Sequence, residues 1–177
     1  MSKNTQRDIV ISGGTGALGS GIVALLLQQG ATCHIPLFKA EHRDGFALKD
    51  HERVHLGGPI NLADEDEVVA YYESLPPLWA SIHVAGGFAM SALTDTSLED
   101  FQRMMDMNAV TAFLCSREAV KRMRKSAHEG GRIVNVGARP ALIPTPGMVS
   151  YSCSKAAVTA MTGALSEELA PEGIWVN

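Results

Sequence analysis

Short apolar runs alternate with longer amphipathic stretches along the whole chain. The first run, residues 8–11, is β-branched and leads through a glycine-rich turn into a helical pattern over residues 21–27, which Gly30 ends. Strand and helix patterns continue to alternate to the last residue, which favours a parallel sheet with helices on both faces. The sequence therefore predicts one α/β domain over residues 1–177, a doubly wound parallel sheet of the Rossmann type.

The strands can be placed from the same pattern. We expect them at residues 8–11, 31–38, 54–62, 79–85, 132–136 and 174–177. Pro36 is awkward in the second strand because proline cannot donate a ladder hydrogen bond, and residues 57–59 (Gly-Gly-Pro) interrupt the third. The sixth strand opens only where the sequence ends, so we expect one or two further βα units, of about 30 residues each, to follow it in the natural protein.

The remaining helices are marked by caps and by apolar spacing. Asp64, with Glu67 three residues on, predicts a capping box at the start of a helix. Ser97 predicts the cap of the next one, and helical patterns follow over residues 110–125 and 150–169. The apolar stripe after Ser97 is interpreted as core rather than as a cofactor contact, and its members are Leu98, Phe101, Met104 and Met105.

Composition narrows the class of protein. The 177 residues are 46% hydrophobic with a net charge of -4, so no basic excess indicates nucleic-acid binding. No apolar run is long enough for a membrane span, and from the polar residues 1–8 we expect no signal peptide. Cys33, Cys115 and Cys153 are scattered in apolar surroundings, and the six histidines show no ligand spacing. We therefore expect a cytoplasmic protein with reduced thiols and no metal.

Candidate chemistry begins at the first turn. Gly14, Gly16 and Gly19 have Gly-x-Gly-x-x-Gly spacing between a strand and a helix, which is the context of a phosphate-binding turn. Glycines let backbone N–H groups approach a phosphate closely, and the helix that follows points its positive end at that anion. Such glycines also occur in ordinary tight turns.

A second candidate lies on the last long helix. Tyr151 and Lys155 are four residues apart and so share one helical face. A lysine one turn from a tyrosine favours the ionised phenol, which suits acid–base chemistry. The pair follows the fifth strand by about 15 residues, near the carboxyl edge of the sheet where open α/β folds bind ligands.

These motifs together resemble the short-chain dehydrogenase/reductase family, in its Tyr-x-x-x-Lys branch, from residue 9 to residue 177. Ser12-Gly13-x-x-x-Ala17-x-Gly19 is similar to the family's cofactor turn, with alanine for its middle glycine, whose flexibility we expect Gly16 to supply. Residues 83–86 retain the Ala-Gly of the segment after the fourth strand, and Asn108 matches the family's helix asparagine. Residues 131–136 and 173–177 resemble its fifth- and sixth-strand motifs.

The resemblance implies an NAD(P)-dependent oxidoreductase that transfers a hydride between a nicotinamide cofactor and a small carbonyl or alcohol substrate. Tyr151 would donate the proton, Lys155 would assist it and hold the nicotinamide ribose, and Asn108 would position a relay water. The implied cofactor-binding residues are Gly13, Gly14, Thr15, Gly16, Leu18, Gly19, Leu37, Lys39, Asn61, Leu62, Ala85, Gly86, Tyr151 and Lys155. The resemblance also implies a homodimer or homotetramer, packed through the helices at residues 109–125 and 150–169, where Ala156, Ala157, Ala160 and Ala164 permit close approach.

The end of the second strand bears on the choice of cofactor. An acidic residue there holds the ribose 2′-OH of NAD, whereas a basic residue suits the 2′-phosphate of NADP. Leu37 and Phe38 precede Lys39, and no acid occurs until Glu41. This favours NADP(H) over NAD(H), with Lys39 and Arg43 as phosphate partners, although both can equally be solvated surface charges.

One position departs from the family. Its catalytic serine lies 13 residues before the tyrosine, where this chain has Ala138. Ser150 and Thr145 are candidates to supply the missing hydroxyl. Residues 137–142 and 145–148 are similar to dihydropteridine-reductase-like members of the family, which also have a residue other than serine at this position. Two alternatives stay open. One is a catalytically weak or inactive dinucleotide-binding regulator. The other is a nucleotide-sugar epimerase-like enzyme, because Gly13, Gly16 and Gly19 also fit the Gly-x-x-Gly-x-x-Gly turn of such enzymes.

Overall fold

A single six-stranded sheet forms the centre of the fold. In the computed structural model, which describes residues 7–126, 130–143 and 145–177, all the strands are parallel, in the order β3-β2-β1-β4-β5-β6. The strands are β1 (Asp8–Ser12), β2 (Thr32–Pro36), β3 (Val54–Gly57), β4 (Ala80–His83), β5 (Gly131–Asn135) and β6 (Ile174–Val176). The doubly wound α/β prediction is confirmed.

Helices cover the sheet on two sides. They are α1 (Ala17–Gln28), α2 (Glu65–Ser74), α3 (Leu98–Met105), α4 (Thr111–Met123) and α5 (Val149–Leu169), and a π-helical turn, Asp106–Val110, joins α3 to α4. Helix α1 packs on one sheet face through Val23 and Leu27, whereas α2, α4 and α5 contribute to the apolar core on the other. In the described part of the chain, no helix is both long and apolar enough to cross a membrane.

Several predicted strand ends are wrong, for local reasons. The second strand stops at Pro36 instead of residue 38, and the chain there is held by the Leu37 N–H, which donates to the Gly57 carbonyl at 2.7 Å. The third strand stops at Gly57 rather than at residue 62, because Gly58 takes a φ of +129° that no strand allows. The fourth is also shorter than predicted and ends at His83. Residues 1–6 and Pro144 of the predicted proline loop lie outside the described residues.

The helix caps are partly as predicted. The Asp64 carboxylate accepts from the Glu67 N–H at 3.0 Å and so caps α2, but Glu67 does not return the bond. Its carboxylate instead accepts from the Asn61 N–H at 2.6 Å. The predicted capping box is therefore wrong, and the Glu67 side chain stabilises the β3–α2 loop. Ser97 caps α3 as expected, accepting from the Asp100 N–H at 3.0 Å.

The predicted core stripe of α3 is mostly wrong. Leu98 is 81% exposed, and of the four stripe members only Met104 is buried, against the loop at Gly87. Helix α3 has only eight residues, of which Met104 is the buried one. Two of the three cysteines are buried in the core. Cys33 and Cys115 lie in separate core clusters, where burial raises their pKa values to about 11 and about 12.

The topology creates a crevice. Strands β1 and β4 are neighbours, and the chain leaves the carboxyl end of β1 toward β2 and that of β4 toward β5, in opposite directions. Open α/β sheets bind ligands at this point. The turn after β1 and the loop after β4 therefore form the two walls of the candidate site.

Candidate active site

The turn after β1 is built by two glycines that admit no side chain. Gly13 has a φ of +69°, and a Cβ on it would lie 2.7 Å from the Ala85 backbone nitrogen. A Cβ on Gly19 would overlap the Gly13 carbonyl oxygen. The Ala85 N–H donates to the Ser12 carbonyl at 3.1 Å, which joins the turn directly to the loop after β4. The start of α1, which carries no acidic residue in its first turn, is thus presented to the crevice.

Gly16 does not play the part predicted for it. Its φ is -76° with ψ at 174°, a conformation open to any residue, and a Cβ there would meet its nearest atom at 3.4 Å. The flexibility expected of Gly16 is therefore not used, and Ala17 simply begins the helix. Gly13 is required for its positive φ and Gly19 for space, and Gly14 is also tight, because a Cβ on it would lie 2.9 Å from Ile35 Cγ2. Gly16 is the glycine of this turn that a larger residue could replace.

A cleft of about 1010 Å³ runs along this edge of the sheet. It contains most of the predicted cofactor residues, namely Gly13, Thr15, Gly16, Leu18, Gly19, Asn61, Leu62, Ala85 and Gly86. The volume and the side-chain-free turn fit an extended ligand with a phosphate at the α1 end. The residues present are thus compatible with a dinucleotide.

Five predicted cofactor residues do not line the cleft: Gly14, Leu37, Lys39, Tyr151 and Lys155. Gly14 is buried behind the turn against Ile35, and Leu37 is 6% exposed within the α1-side core. Lys39 is exposed at the start of the short helical turn after β2 and does not line the cleft. Sequence reasoning missed the residues that do line this end, among them Phe38, Glu41 and His42.

The catalytic candidates on α5 do not themselves line this cleft, but Lys155 lies next to Gly86, which does. Lys155 is 7% exposed and donates from Nζ to the Val136 carbonyl at 2.8 Å, and burial lowers the pKa of its ammonium group. Its Nζ lies 3.5 Å from where a Cβ on the cleft residue Gly86 would be. Tyr151, one helical turn earlier, is half-buried and packs against Phe88 with the ring centroids 5.0 Å apart.

Asn108 joins these elements. It lies in the π-helical turn, a feature frequent at functional sites, and is 1% exposed. Its Oδ1 accepts from the Gly87 N–H at 3.1 Å, and its Nδ2 donates to the Gly87 carbonyl at 3.1 Å and to Ser154 Oγ at 3.0 Å. The Ser154 hydroxyl donates in turn to the Tyr151 carbonyl at 2.8 Å. The side chain predicted to position a water thus positions the β4–α3 loop and α5.

Ala138 lies at the carboxyl edge beyond β5. It is extended, with φ -152° and ψ 148°, two residues after the carbonyl that accepts from Lys155. Thr145, one of the two candidates for the missing hydroxyl, donates to the Ile143 carbonyl at 3.2 Å, and Ser150, the other, is buried at the start of α5. A methyl group therefore stands at the position where the family has its serine.

A neutral polar chain supports the ends of β4 and β5. The His83 ring donates from Nδ1 to Asn135 Oδ1 at 2.7 Å and accepts at Nε2 from Ser81 Oγ at 2.8 Å, and Ser81 also pairs with the Tyr72 hydroxyl at 3.1 Å. Burial lowers the pKa of His83 to about 4. His83 therefore serves as a neutral structural residue. Among the described residues, no group of three or more His, Cys, Asp or Glu could hold a metal ion.

Comparison with known proteins agrees with this geometry. The chain matches the family described as short chain dehydrogenase over residues 7–177. It is 31% identical over 175 residues to the 3-oxoacyl-acyl-carrier-protein reductase FabG of Rickettsia felis, covering 98% of this chain and 70% of that protein. These matches give no support to the nucleotide-sugar epimerase alternative.

Solved structures share the fold at lower identity. A short-chain dehydrogenase from Streptomyces avermitilis superposes with a TM-score of 0.88 at 18% identity, over 97% of this chain and 64% of that one. ElxO with NADP bound superposes with a TM-score of 0.87 at 23% identity, over 98% of this chain and 72% of that one. The chain thus spans about two thirds of the length of these proteins.

Proposed function

The chain belongs to the short-chain dehydrogenase family, and we propose that it is an NAD(P)-dependent oxidoreductase acting on a small carbonyl or alcohol substrate. The observation that carries the proposal is the position of Lys155 Nζ, 3.5 Å from the Cβ site of Gly86, because Gly86 lines the dinucleotide-sized cleft. Tyr151, one turn away on the same helix, would then face the reacting end of a bound dinucleotide. We assign residues 1–177 to one dinucleotide-binding domain.

Each residue has a separate task in this proposal. A bound nicotinamide would supply or accept the hydride. The Tyr151 hydroxyl would donate its proton to the carbonyl oxygen, and the Lys155 ammonium would stabilise the phenolate left behind. The Lys155 ammonium also holds the end of β5 through Val136, while Asn108 fixes the Gly87 backbone beside the cleft. The Gly13–Gly19 turn would receive the pyrophosphate.

For the cofactor, we propose NADP(H) in preference to NAD(H). The likeness to ElxO, at 23% identity, bears on the fold alone, so the preference rests on residues. Lys39 is exposed beside the cleft end formed by Phe38, Glu41 and His42, within reach of a 2′-phosphate for a long flexible side chain. Glu41 is the competing feature, because a carboxylate there can accept from the 2′-OH of NAD. Titration of NADPH against NADH, repeated with Lys39→Ala, tests the assignment: we expect tighter NADPH binding, and its loss in the variant.

The experiment for the activity is Tyr151→Phe. The variant keeps the ring that packs on Phe88 and loses only the hydroxyl. We expect turnover of a carbonyl panel to fall by about 10²–10⁴-fold, with the NADPH dissociation constant unchanged. Equal turnover in the two proteins would refute the role given to Tyr151. NADPH binding without oxidation by any carbonyl in the wild-type protein would favour the alternative of a non-catalytic dinucleotide-binding regulator, for which Ala138 is the argument.

We also propose that the chain forms a homodimer or homotetramer through α4 and α5. Phe113 is 50% exposed on α4, and it borders a shallow apolar depression together with Ala109, Val110, Ala157 and Met161. Alanines 156, 160 and 164 are exposed along α5 and allow another helix to approach closely. Light scattering of Phe113→Glu against the wild type tests this, with a shift to the monomer expected. Location in the cytoplasm stays a prediction.

A further inference from the structure

The loop between β4 and α3 folds over the start of the catalytic helix. Phe88 packs against Tyr151 with ring centroids 5.0 Å apart and an interplanar angle of 78°. Three residues further on, the Ser91 N–H donates to the Gly147 carbonyl at 2.9 Å, and the Met90 side chain lies against the same glycine. The loop is therefore held against Tyr151 and against Gly147, just before α5.

The outer surface of this loop is apolar. Phe88 and Met90 are each 61% exposed, although burying an aromatic ring or a thioether side chain away from water is favourable in free energy. The neighbouring β5–α5 connection, which carries Gly147, likewise exposes Leu142 and Ile143. Exposed apolar side chains gathered beside a candidate acid–base residue are typical of a ligand pocket.

Charge is missing from both segments. Residues 84–94 and residues 140–150 contain no Asp, Glu, Lys, Arg or His. The charged residue of the β5–α5 connection is the exposed Arg139, just before the second segment; within the two segments themselves, an ionic substituent would be desolvated without gaining a partner. The lack of charged side chains in these segments therefore disfavours a substrate with a charged group near the reacting carbon, but it does not by itself select one particular ligand.

We propose that this site, if it has the activity proposed above, takes carbonyl compounds whose carbonyl carbon bears an uncharged aromatic or similarly flat apolar group. Phe88 is the specificity-determining residue. Its ring forms the side wall beside Tyr151, and the part of the ring open to solvent stacks on the substrate ring. In the reduction, the carbonyl carbon receives the hydride with its electron pair, and the oxygen takes the Tyr151 proton.

The test compares two aldehydes of one shape, benzaldehyde and 4-carboxybenzaldehyde, with the small polar glyceraldehyde. For the wild type we expect kcat/KM for benzaldehyde to exceed that for the carboxylated aldehyde by roughly tenfold or more. Phe88→Ala should raise the KM for benzaldehyde roughly tenfold, and raise the KM for glyceraldehyde much less, so that the ratio of the two kcat/KM values falls. Phe88→Tyr should restore the wild-type value. Trp175→Ala is the matched control, because Trp175 is 63% exposed and lies on β6, beside the amino end of β5.

A binding measurement separates this inference from the proposed function. Benzamide, which cannot be reduced in this way, is titrated by ligand-observed NMR in the presence of NADP. Affinity that falls roughly tenfold in Phe88→Ala and is kept in Trp175→Ala supports the aromatic wall, even if no aldehyde is turned over and the proposed activity fails. Equal benzamide affinity in wild type and Phe88→Ala, or a preference for the carboxylated aldehyde, would overturn the inference while leaving an active enzyme unchallenged.

Discussion

Acidification should destabilise the protein through His83. The ring is 4% exposed, with Nδ1 bonded to Asn135 and Nε2 to Ser81, and neither partner carries a charge. Burial lowers its pKa from 6.5 to about 4. Protonation would place a charge in the core beside Ser81 and Tyr72, with only neutral groups to bind it.

The sign and size follow from proton linkage. Between pH 6.5 and about 4 the unfolded chain binds a proton at this histidine that the folded protein does not, so stability rises with pH across that window. The contribution is fully present above pH 6.5 and is lost progressively as the pH falls toward the folded-state pKa. The whole difference corresponds to about 3 kcal/mol, of which about 2 kcal/mol should be gone by about pH 5.

Urea unfolding at about pH 7.5 and about pH 5 measures the effect, with His83→Asn as the comparison. Asparagine cannot titrate, so the variant should lose about 2 kcal/mol less than the wild type between the two conditions. His34, whose pKa is also lowered by burial against its hydrogen bond to Asp8, adds a dependence of the same sign in both proteins. An equal loss in wild type and variant would refute the reasoning. An NMR titration of the His83 ring, showing an ordinary midpoint in the folded protein, would refute it independently.

Three further predictions concern the site itself. Gly19→Ala places a Cβ on the Gly13 carbonyl oxygen and should weaken dinucleotide binding at least tenfold by fluorescence titration, whereas Gly21→Ala, with nothing within 4 Å of its Cβ, should leave binding unchanged. Asn108→Ala removes both bonds to Gly87 and the bond to Ser154 and should lower the free energy of unfolding by about 2–3 kcal/mol in urea; an unchanged value would contradict the role given to that network. Ala138→Ser restores the family's hydroxyl and should raise kcat by up to about 10²–10³-fold, whereas an unchanged kcat would show that the site does not use a donor there.

The fold was predictable because its signals are local. Apolar periodicity and turn residues recur every few positions, and they identified the order of strands and helices. Strand ends and side-chain hydrogen bonds depend on residues from distant parts of the chain that lie on neighbouring strands and loops. Local periodicity carries no information about those residues. Glu67 shows this: its spacing from Asp64 predicts a capping box, yet its carboxylate binds the Asn61 N–H because the β3–α2 loop folds back over it.

For the candidate site, motifs in the sequence predicted residues but not their geometry. Tyr151, Lys155 and Asn108 were recognised from motifs, but the contact of Asn108 with Gly87 joins residues 21 apart and depends on the π-helical turn. Leu37 was misplaced by one position. Side chains alternate along a strand, so Leu37 follows Ile35 into the core and Phe38 faces the cleft instead.

Two buried side chains connect the parts on which any reaction here would depend. Lys155 ties α5 to the end of β5 through Val136, and Asn108 ties α5, through Ser154, to the backbone of Gly87 in the β4–α3 loop. The loop that carries Phe88 is therefore held at one end by the same asparagine that holds the catalytic helix, and near its middle by the Ser91 bond to Gly147. Tyr151 and Phe88, the proposed proton donor and aromatic wall, share these anchors, so their separation depends on the hydrogen bonds of Asn108 and Lys155 and on the backbone bond from Ser91 to Gly147. Changes at Asn108 should for this reason disturb substrate selection and proton transfer together, whereas changes at Phe88 disturb selection alone.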